Sequence, residues 1–69
     1  MRITQKSVIE ILRESNKPMN FEQISNSYFE NVDYVDLGLV ISRLLEKGKI
    51  TTKLADEGVI KRIYYELAT

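Results

Sequence analysis

The 69-residue chain is long enough for one small domain with one modest core. Its apolar fraction of 43% is ordinary for a globular protein, and ten basic residues balance ten acidic ones, so the formal net charge is zero. The sequence contains no cysteine and no histidine, which excludes disulfides, cysteine–histidine zinc sites and histidine-based acid/base catalysis.

A first helix is predicted over residues 4–16. Thr4 is a good N-cap residue, because its hydroxyl can accept a backbone N–H from the first turn. The residues at helical spacing on one face are Val8, Ile11, Leu12 and Ser15. Pro18 disfavours helix at the residue before it, so residues 17–20 are predicted as a short extended link.

A second helix is predicted over residues 20–30. Asn20 followed by Gln23 is a capping-box pattern, in which each side chain accepts the backbone N–H of the other residue. The large residues that share one face of this helix are Phe21, Ile24 and Tyr28.

A third helix is predicted over residues 33–47. Asp33 is placed to cap its start, and Gly48 to close its end in the left-handed conformation. One stripe of this helix is apolar and predicted to face the core: Leu37, Val40, Ile41, Leu44 and Leu45. The opposite side is predicted to face outward and carries Val35, Asp36, Leu39, Ser42, Arg43 and Glu46.

After Gly48 the apolar period changes from helical to two, which predicts a β-hairpin over residues 49–67. Ile50, Thr52 and Leu54 alternate with polar residues in the first strand, and Ile63, Tyr65 and Leu67 alternate in the second. The predicted tip of the hairpin is Asp56, Glu57 and Gly58.

Three segments, taken in this order, resemble the winged helix-turn-helix family. KPMNFEQIS is similar to the link into the second helix, LLEKGKI to the junction between third helix and wing, and IYYELAT to the last wing strand. The resemblance implies an α+β fold in which a three-helix core is followed by a two-stranded hairpin wing, with residues 1–69 forming one winged-helix domain.

The resemblance also implies binding of double-stranded DNA, with the third helix in the major groove and the wing along the backbone, and a role as a transcriptional regulator. The residues of this chain that would contact DNA are Ser42, Arg43, Lys47, Lys49, Lys53, Lys61 and Arg62. The alternative for the same residues is an ordinary solvated charged surface. A module of this size is expected to act as a homodimer or beside another protein.

Acidic residues at the start of the third helix depart from the family pattern. Residues 20–36 contain four carboxylates and no basic side chain, and Asp33 and Asp36 lie where the helix would enter the groove. The alternative function is a protein-interaction module that docks on a nucleic-acid machine. Its predicted contact residues are Tyr34, Val35 and Leu39, which form a small apolar group on the exposed side.

Catalysis, metal binding and membrane insertion are not expected. Glu10, Glu14, Asp33 and Asp36 are explained by capping and solubility, and no cofactor motif is present. The longest apolar runs are shorter than a membrane span, and residues 1–7 lack the apolar core of a signal peptide, so a cytoplasmic location is expected.

Overall fold

The computed structural model describes residues 3–68, which form an α+β fold of three helices and a three-stranded antiparallel sheet. The elements, in chain order, are α1 (Gln5–Ser15), β1 (Met19–Asn20), α2 (Phe21–Asn26), α3 (Tyr34–Glu46), β2 (Ile50–Glu57) and β3 (Ile60–Leu67). Across these residues, no helix has both the length and the apolar character needed to cross a membrane.

Helix α1 begins and ends where its capping residues predict. The Thr4 hydroxyl accepts the Ser7 N–H at 3.1 Å, and Ser7 Oγ in turn accepts the Thr4 N–H at 3.3 Å. At the other end Asn16 takes the left-handed conformation, with φ 55°. Asparagine tolerates this conformation better than most residues, so the chain leaves the helix there and turns toward β1.

Helix α2 has the predicted capping box but is shorter than predicted. Gln23 N–H donates to Asn20 Oδ1 at 2.7 Å and Asn20 N–H donates to Gln23 Oε1 at 3.0 Å. The helix ends at Asn26 rather than near residue 30, and Ser27, the C-cap residue, donates its hydroxyl to the Gln23 carbonyl at 2.9 Å. Tyr28 therefore lies beyond the helix, where its hydroxyl bonds Ser7 Oγ at 2.7 Å.

The termini of helix α3 follow the prediction closely. Asp33 Oδ1 accepts the Val35 N–H at 2.8 Å. Gly48 has φ +71°, its N–H bonds the Leu45 carbonyl, and the Lys49 N–H bonds the Leu44 carbonyl. This pair of bonds is a Schellman motif, and it turns the chain from the helix directly into β2.

The predicted hairpin is present, but two of its details were wrong. Its tip is a two-residue loop, Gly58-Val59, because Glu57 pairs with Ile60 and stays in the strand. Gly58 supplies the positive φ, +70°, that such loops need at their first position. The sheet also has three strands rather than two, since Met19 and Asn20 of β1 pair with Tyr65 and Tyr64 of β3.

The core lies between the three helices and the base of the sheet, and each helix and strand contributes to it. Its buried apolar side chains within residues 3–68 are Ile3, Val8, Leu12, Met19, Ile24, Leu37, Ile41, Leu44 and Ile50. Tyr65 and Leu67 of β3 pack against this cluster. The predicted inward stripe of α3 is confirmed, because Leu37, Ile41 and Leu44 are buried and Val40 and Leu45 are packed against them.

Candidate functional site

Helix α3 presents a stripe to solvent that changes character along its length. Val35, Leu39, Ser42 and Glu46 fall at positions i, i+4, i+7 and i+11 and are all exposed. Val35 is 70% exposed and Leu39 52%, so the N-terminal half of the stripe is apolar. The C-terminal half is polar, because Ser42 and Glu46 follow on the same line.

The N-terminal end of α3 combines negative charge with an aromatic side chain. Asp33 and Asp36 are both exposed, and Asp33 caps the helix. Tyr34 is 63% exposed, and its ring meets Phe21 of α2 edge-to-face with the centroids 5.8 Å apart. This edge-to-face contact holds the Tyr34 ring against α2. Tyr34, Val35 and Leu39, the three predicted protein-contact residues, lie within two turns of one helix.

The C-terminal end of α3 carries the helical part of the predicted DNA-contact set. Arg43 lies in the last turn and is exposed, beside the polar half of the stripe. Lys47 is also exposed, and its Nζ donates a hydrogen bond to Gln5 Oε1 of α1 at 3.1 Å. A cation at the C-terminal end of a helix is favoured by the helix dipole, so this positive group is also compatible with helix stability.

The register of β2 and β3 assigns every wing residue to one of two faces. The inner face is the one whose base packs on the helices, and its cross-strand pairs are Ile50–Leu67, Thr52–Tyr65, Leu54–Ile63 and Asp56–Lys61. The outer face carries the pairs Thr51–Glu66, Lys53–Tyr64, Ala55–Arg62 and Glu57–Ile60. Residues directly opposite one another point to the same face, so each pair shares its face.

These faces divide the predicted basic residues of the wing. Lys53 and Arg62 are diagonal neighbours on the outer face, whereas Lys61 lies on the inner face opposite Asp56. Arg62 Nε lies 3.4 Å from Glu57 Oε2, and Tyr64 Oη donates to Glu57 Oε1 at 3.1 Å. Lys53 and Arg62 are therefore brought together, and Lys61 is separated from them by the thickness of the sheet.

Unpaired positive charge is the property that most of the predicted DNA-contact residues share. Within residues 3–68, no carboxylate lies within salt-bridge distance of these side chains, all of which are exposed: Arg43, Lys47, Lys49, Lys53 and Lys61. Arg62 differs from them through its contact with Glu57. Each unpaired cation is thus available to an external anion without first breaking an ion pair.

The sequence pattern did not predict a group of exposed apolar side chains on the wing. Leu54 and Ile63 face each other across the strands of the inner face, yet they are 64% and 51% exposed, and Val59 and Ile60 at the tip are exposed as well. The alternation of apolar residues predicted the two strands, but not the face that Leu54 and Ile63 occupy or their lack of cover. Strand length is the available signal: eight residues span roughly 27 Å, which is longer than the short helical layer can cover.

Phe29 is a second exposed aromatic residue that the sequence did not predict, and it lies in the loop between α2 and α3. Its exposure is consistent with the end of α2 at Asn26, because Phe29 then lies outside the helix.

In comparisons with protein-family models, with curated proteins and with solved structures, no match to this chain was found.

Proposed function

We propose that this chain is a winged-helix domain that binds double-stranded DNA through the C-terminal half of α3 and the wing. The order of helix, short strand, helix, helix and hairpin supports the family assignment. The observation that carries the functional proposal is the set of exposed cations without ion-pair partners at the end of α3 and after it: Arg43, Lys47, Lys49 and, in the wing, Lys53. Lys and Arg side chains of this kind supply most of the affinity of small domains for duplex DNA.

The acidic end of α3 restricts how DNA could approach. Asp33 and Asp36 would repel phosphates, and the exposed Val35 and Leu39 offer a base edge no hydrogen-bond donor. An approach over Ser42, Arg43 and the wing keeps the duplex away from these residues. Binding would then rest mainly on phosphate contacts, and sequence preference would be modest because Ser42 and Arg43 alone are placed to contact bases from α3.

Substitutions that remove one positive charge test this arrangement, with a matched control. Arg43→Gln removes one proposed phosphate contact, and Arg13→Gln removes the same charge from the exposed last turn of α1, at a residue that is not in the proposed contact set. We expect Arg43→Gln to weaken binding of a 25-base-pair duplex by about 5- to 20-fold at low salt and to lower the salt slope by about one. Arg13→Gln is expected to change affinity less than about twofold. Equal effects of the two variants would refute the assignment.

The wing contribution is tested in the same way. Lys53→Gln on β2 is compared with Lys6→Gln, which removes an exposed lysine from α1. Fluorescence anisotropy with a labelled duplex reports both affinities, and circular dichroism confirms that each variant is folded. If Lys53→Gln binds as tightly as the wild type, Lys53 does not contact DNA.

A protein-interaction module is the second candidate function, and a specific observation favours it. Tyr34, Val35 and Leu39 together expose a small apolar surface next to Asp36, and the formal net charge of the chain is zero. The double variant Val35→Asp with Leu39→Lys changes this surface without touching the core. Under the interaction hypothesis it abolishes capture of a protein partner and leaves DNA affinity intact, while unchanged capture would exclude this surface as the contact.

A further inference from the structure

The outer edge of β2 is open along its full length. In the sheet formed by residues 3–68 the strand order is β1-β3-β2, so β2 pairs on one side only. Its eight residues continue in unbroken register from Ile50 to Glu57 and contain no proline. Proteins usually protect such edges with prolines, bulges, very short strands, lysines or inward-pointing charges, because an open edge offers a row of unpaired backbone groups to another strand. Of these devices β2 carries only Lys53 and the inner-face Asp56.

The positions of the unpaired backbone groups follow from the ladder with β3. The Ala68 N–H donates to the Lys49 carbonyl at 3.1 Å, so the backbone groups of Lys49 point toward the last strand. Antiparallel strands alternate in this direction from residue to residue. The N–H and C=O groups that point away from β3 are therefore those of Ile50, Thr52, Leu54 and Asp56.

Charge along β2 is ordered so that the edge complements an inverted copy of itself. Lys49 and Lys53 lie toward its start, and Asp56 and Glu57 lie at its end. In an antiparallel pair of two β2 strands the basic part of each strand meets the acidic part of the other. A parallel pair would instead bring the like charges of the two copies together.

We infer that β2 is a homodimer interface, in which two copies of this chain join edge to edge as antiparallel strands with Leu54 of each copy on the two-fold axis. In this register Leu54 is opposite Leu54 of the second copy, and Thr52 is opposite Asp56 of the second copy. All of these residues have outward-pointing backbone groups, so the pairing closes a continuous six-stranded sheet. A two-fold contact of this kind uses the same patch on both subunits and stops at the dimer.

The side chains of both faces support this register. On the inner face, the pair of Leu54 residues covers the apolar surface that Leu54 and Ile63 leave exposed in one copy. On the outer face, Glu57 of the second copy is opposite Thr51 and diagonal to Lys49 and Lys53. Its carboxylate contacts Arg62 and Tyr64 of its own copy, so its negative charge lies near the two lysines without replacing those contacts. Shifting the register by one pair in one direction sets Lys53 against Lys53, which is unfavourable. Shifting it in the other direction replaces the Leu54 pair with Leu54 against Asp56, although it also sets Lys53 opposite Glu57 of the second copy.

Sedimentation equilibrium between about 10 μM and 1 mM tests the dimer, with a matched pair of variants. Leu54→Lys places two lysines opposite each other on the axis, whereas Ile63→Lys makes the same change one strand away from the edge, at a similarly exposed position of the same face. We expect a reversible monomer–dimer equilibrium, a dissociation constant raised at least about tenfold by Leu54→Lys, and less than about threefold by Ile63→Lys. A chain that stays monomeric, that forms open-ended polymers, or that responds equally to both variants would overturn the inference.

Two further measurements locate the contact on the backbone. Thr52→Pro removes an N–H that points away from β3, so the monomer keeps its sheet and the dimer is lost. In hydrogen exchange of the wild type, the Thr52, Leu54 and Asp56 amides should be protected only at dimerising concentrations. The Lys53 and Ala55 amides, which point toward β3, should be protected at every concentration. Protection of Thr52, Leu54 and Asp56 that does not depend on concentration, or a Thr52→Pro variant that still dimerises, would overturn the inference.

Discussion

Leu44→Ala measures how strongly the buried side of α3 holds the helix in place. The Leu44 side chain is fully buried in the core, and truncating it leaves a cavity among Ile41, Ile24 and their neighbours. Substitutions of this kind cost about 2–5 kcal/mol. A domain of 69 residues has a total stability of only about 3–10 kcal/mol, so Leu44→Ala should remove about a fifth of it or more.

The matched control is Leu39→Ala, the same substitution on the outward side of the same helix. Leu39 is half-exposed, so its truncation leaves no cavity in the core and should change the free energy of unfolding by less than about 0.5 kcal/mol. Thermal unfolding followed by circular dichroism should show a fall in Tm of roughly 8–40 °C for Leu44→Ala and only a few degrees for Leu39→Ala. If the two variants unfold at similar temperatures, the orientation of α3 is wrong and the proposed surface is wrong with it.

Two further stability predictions concern the ends and the middle of α3. Gly48→Ala should destabilise the domain by about 1 kcal/mol in urea unfolding, because φ is +71° at this position. Gly38→Ala should instead stabilise the domain by about 0.5–1 kcal/mol, because Gly38 is helical and no atom of the described chain beyond its own helical segment lies within 4 Å of its Cβ position. A change in stability of the same sign for both variants would contradict this prediction. Asp33→Ala should cost about 1 kcal/mol through loss of the hydrogen bond to the Val35 N–H, and Asp33→Asn should cost less because it keeps an acceptor. A cost of Asp33→Asn equal to that of Asp33→Ala would show that the carboxylate charge, not the acceptor, stabilises the helix.

The parts of the fold that depend on neighbouring residues were predictable from the sequence. The caps at Thr4, Asn20, Asp33 and Gly48 were predicted correctly, because a cap is decided by residues within one turn of it. The buried stripe of α3 was also predicted correctly, since helical spacing alone determines which side chains share a face.

The parts that depend on distant contacts were not predictable in the same way. The pairing of Met19 with Tyr65 joins segments far apart in the chain, so the third strand of the sheet had no local signal. Alternation predicted the strands that carry Leu54 and Ile63, but the exposure of these side chains depends on how far the helical layer extends. The end of α2 at Asn26 was not indicated by the capping box or by the apolar spacing, which predicted only that the helix exists.

For the candidate site, the sequence predicted the exposed residues but not their relative placement. The predicted DNA-contact and protein-contact residues all lie at least partly in solvent, because none of them belongs to an apolar stripe. Which wing face each cation occupies required the register, and the register separates Lys61 from Lys53 and Arg62. The ion pair that occupies Arg62 required the position of Glu57, which the sequence had placed in the turn.

A salt titration of the wild-type domain with duplex DNA tests the proposed function most directly. Fluorescence anisotropy between about 25 and 200 mM salt should show micromolar binding at the low end, and the logarithm of the association constant should fall with the logarithm of the salt concentration. Four to six phosphate contacts from α3 and the wing predict a slope of about −4 to −5. No salt-sensitive binding at micromolar protein in the lowest salt would contradict the proposal that this surface holds DNA.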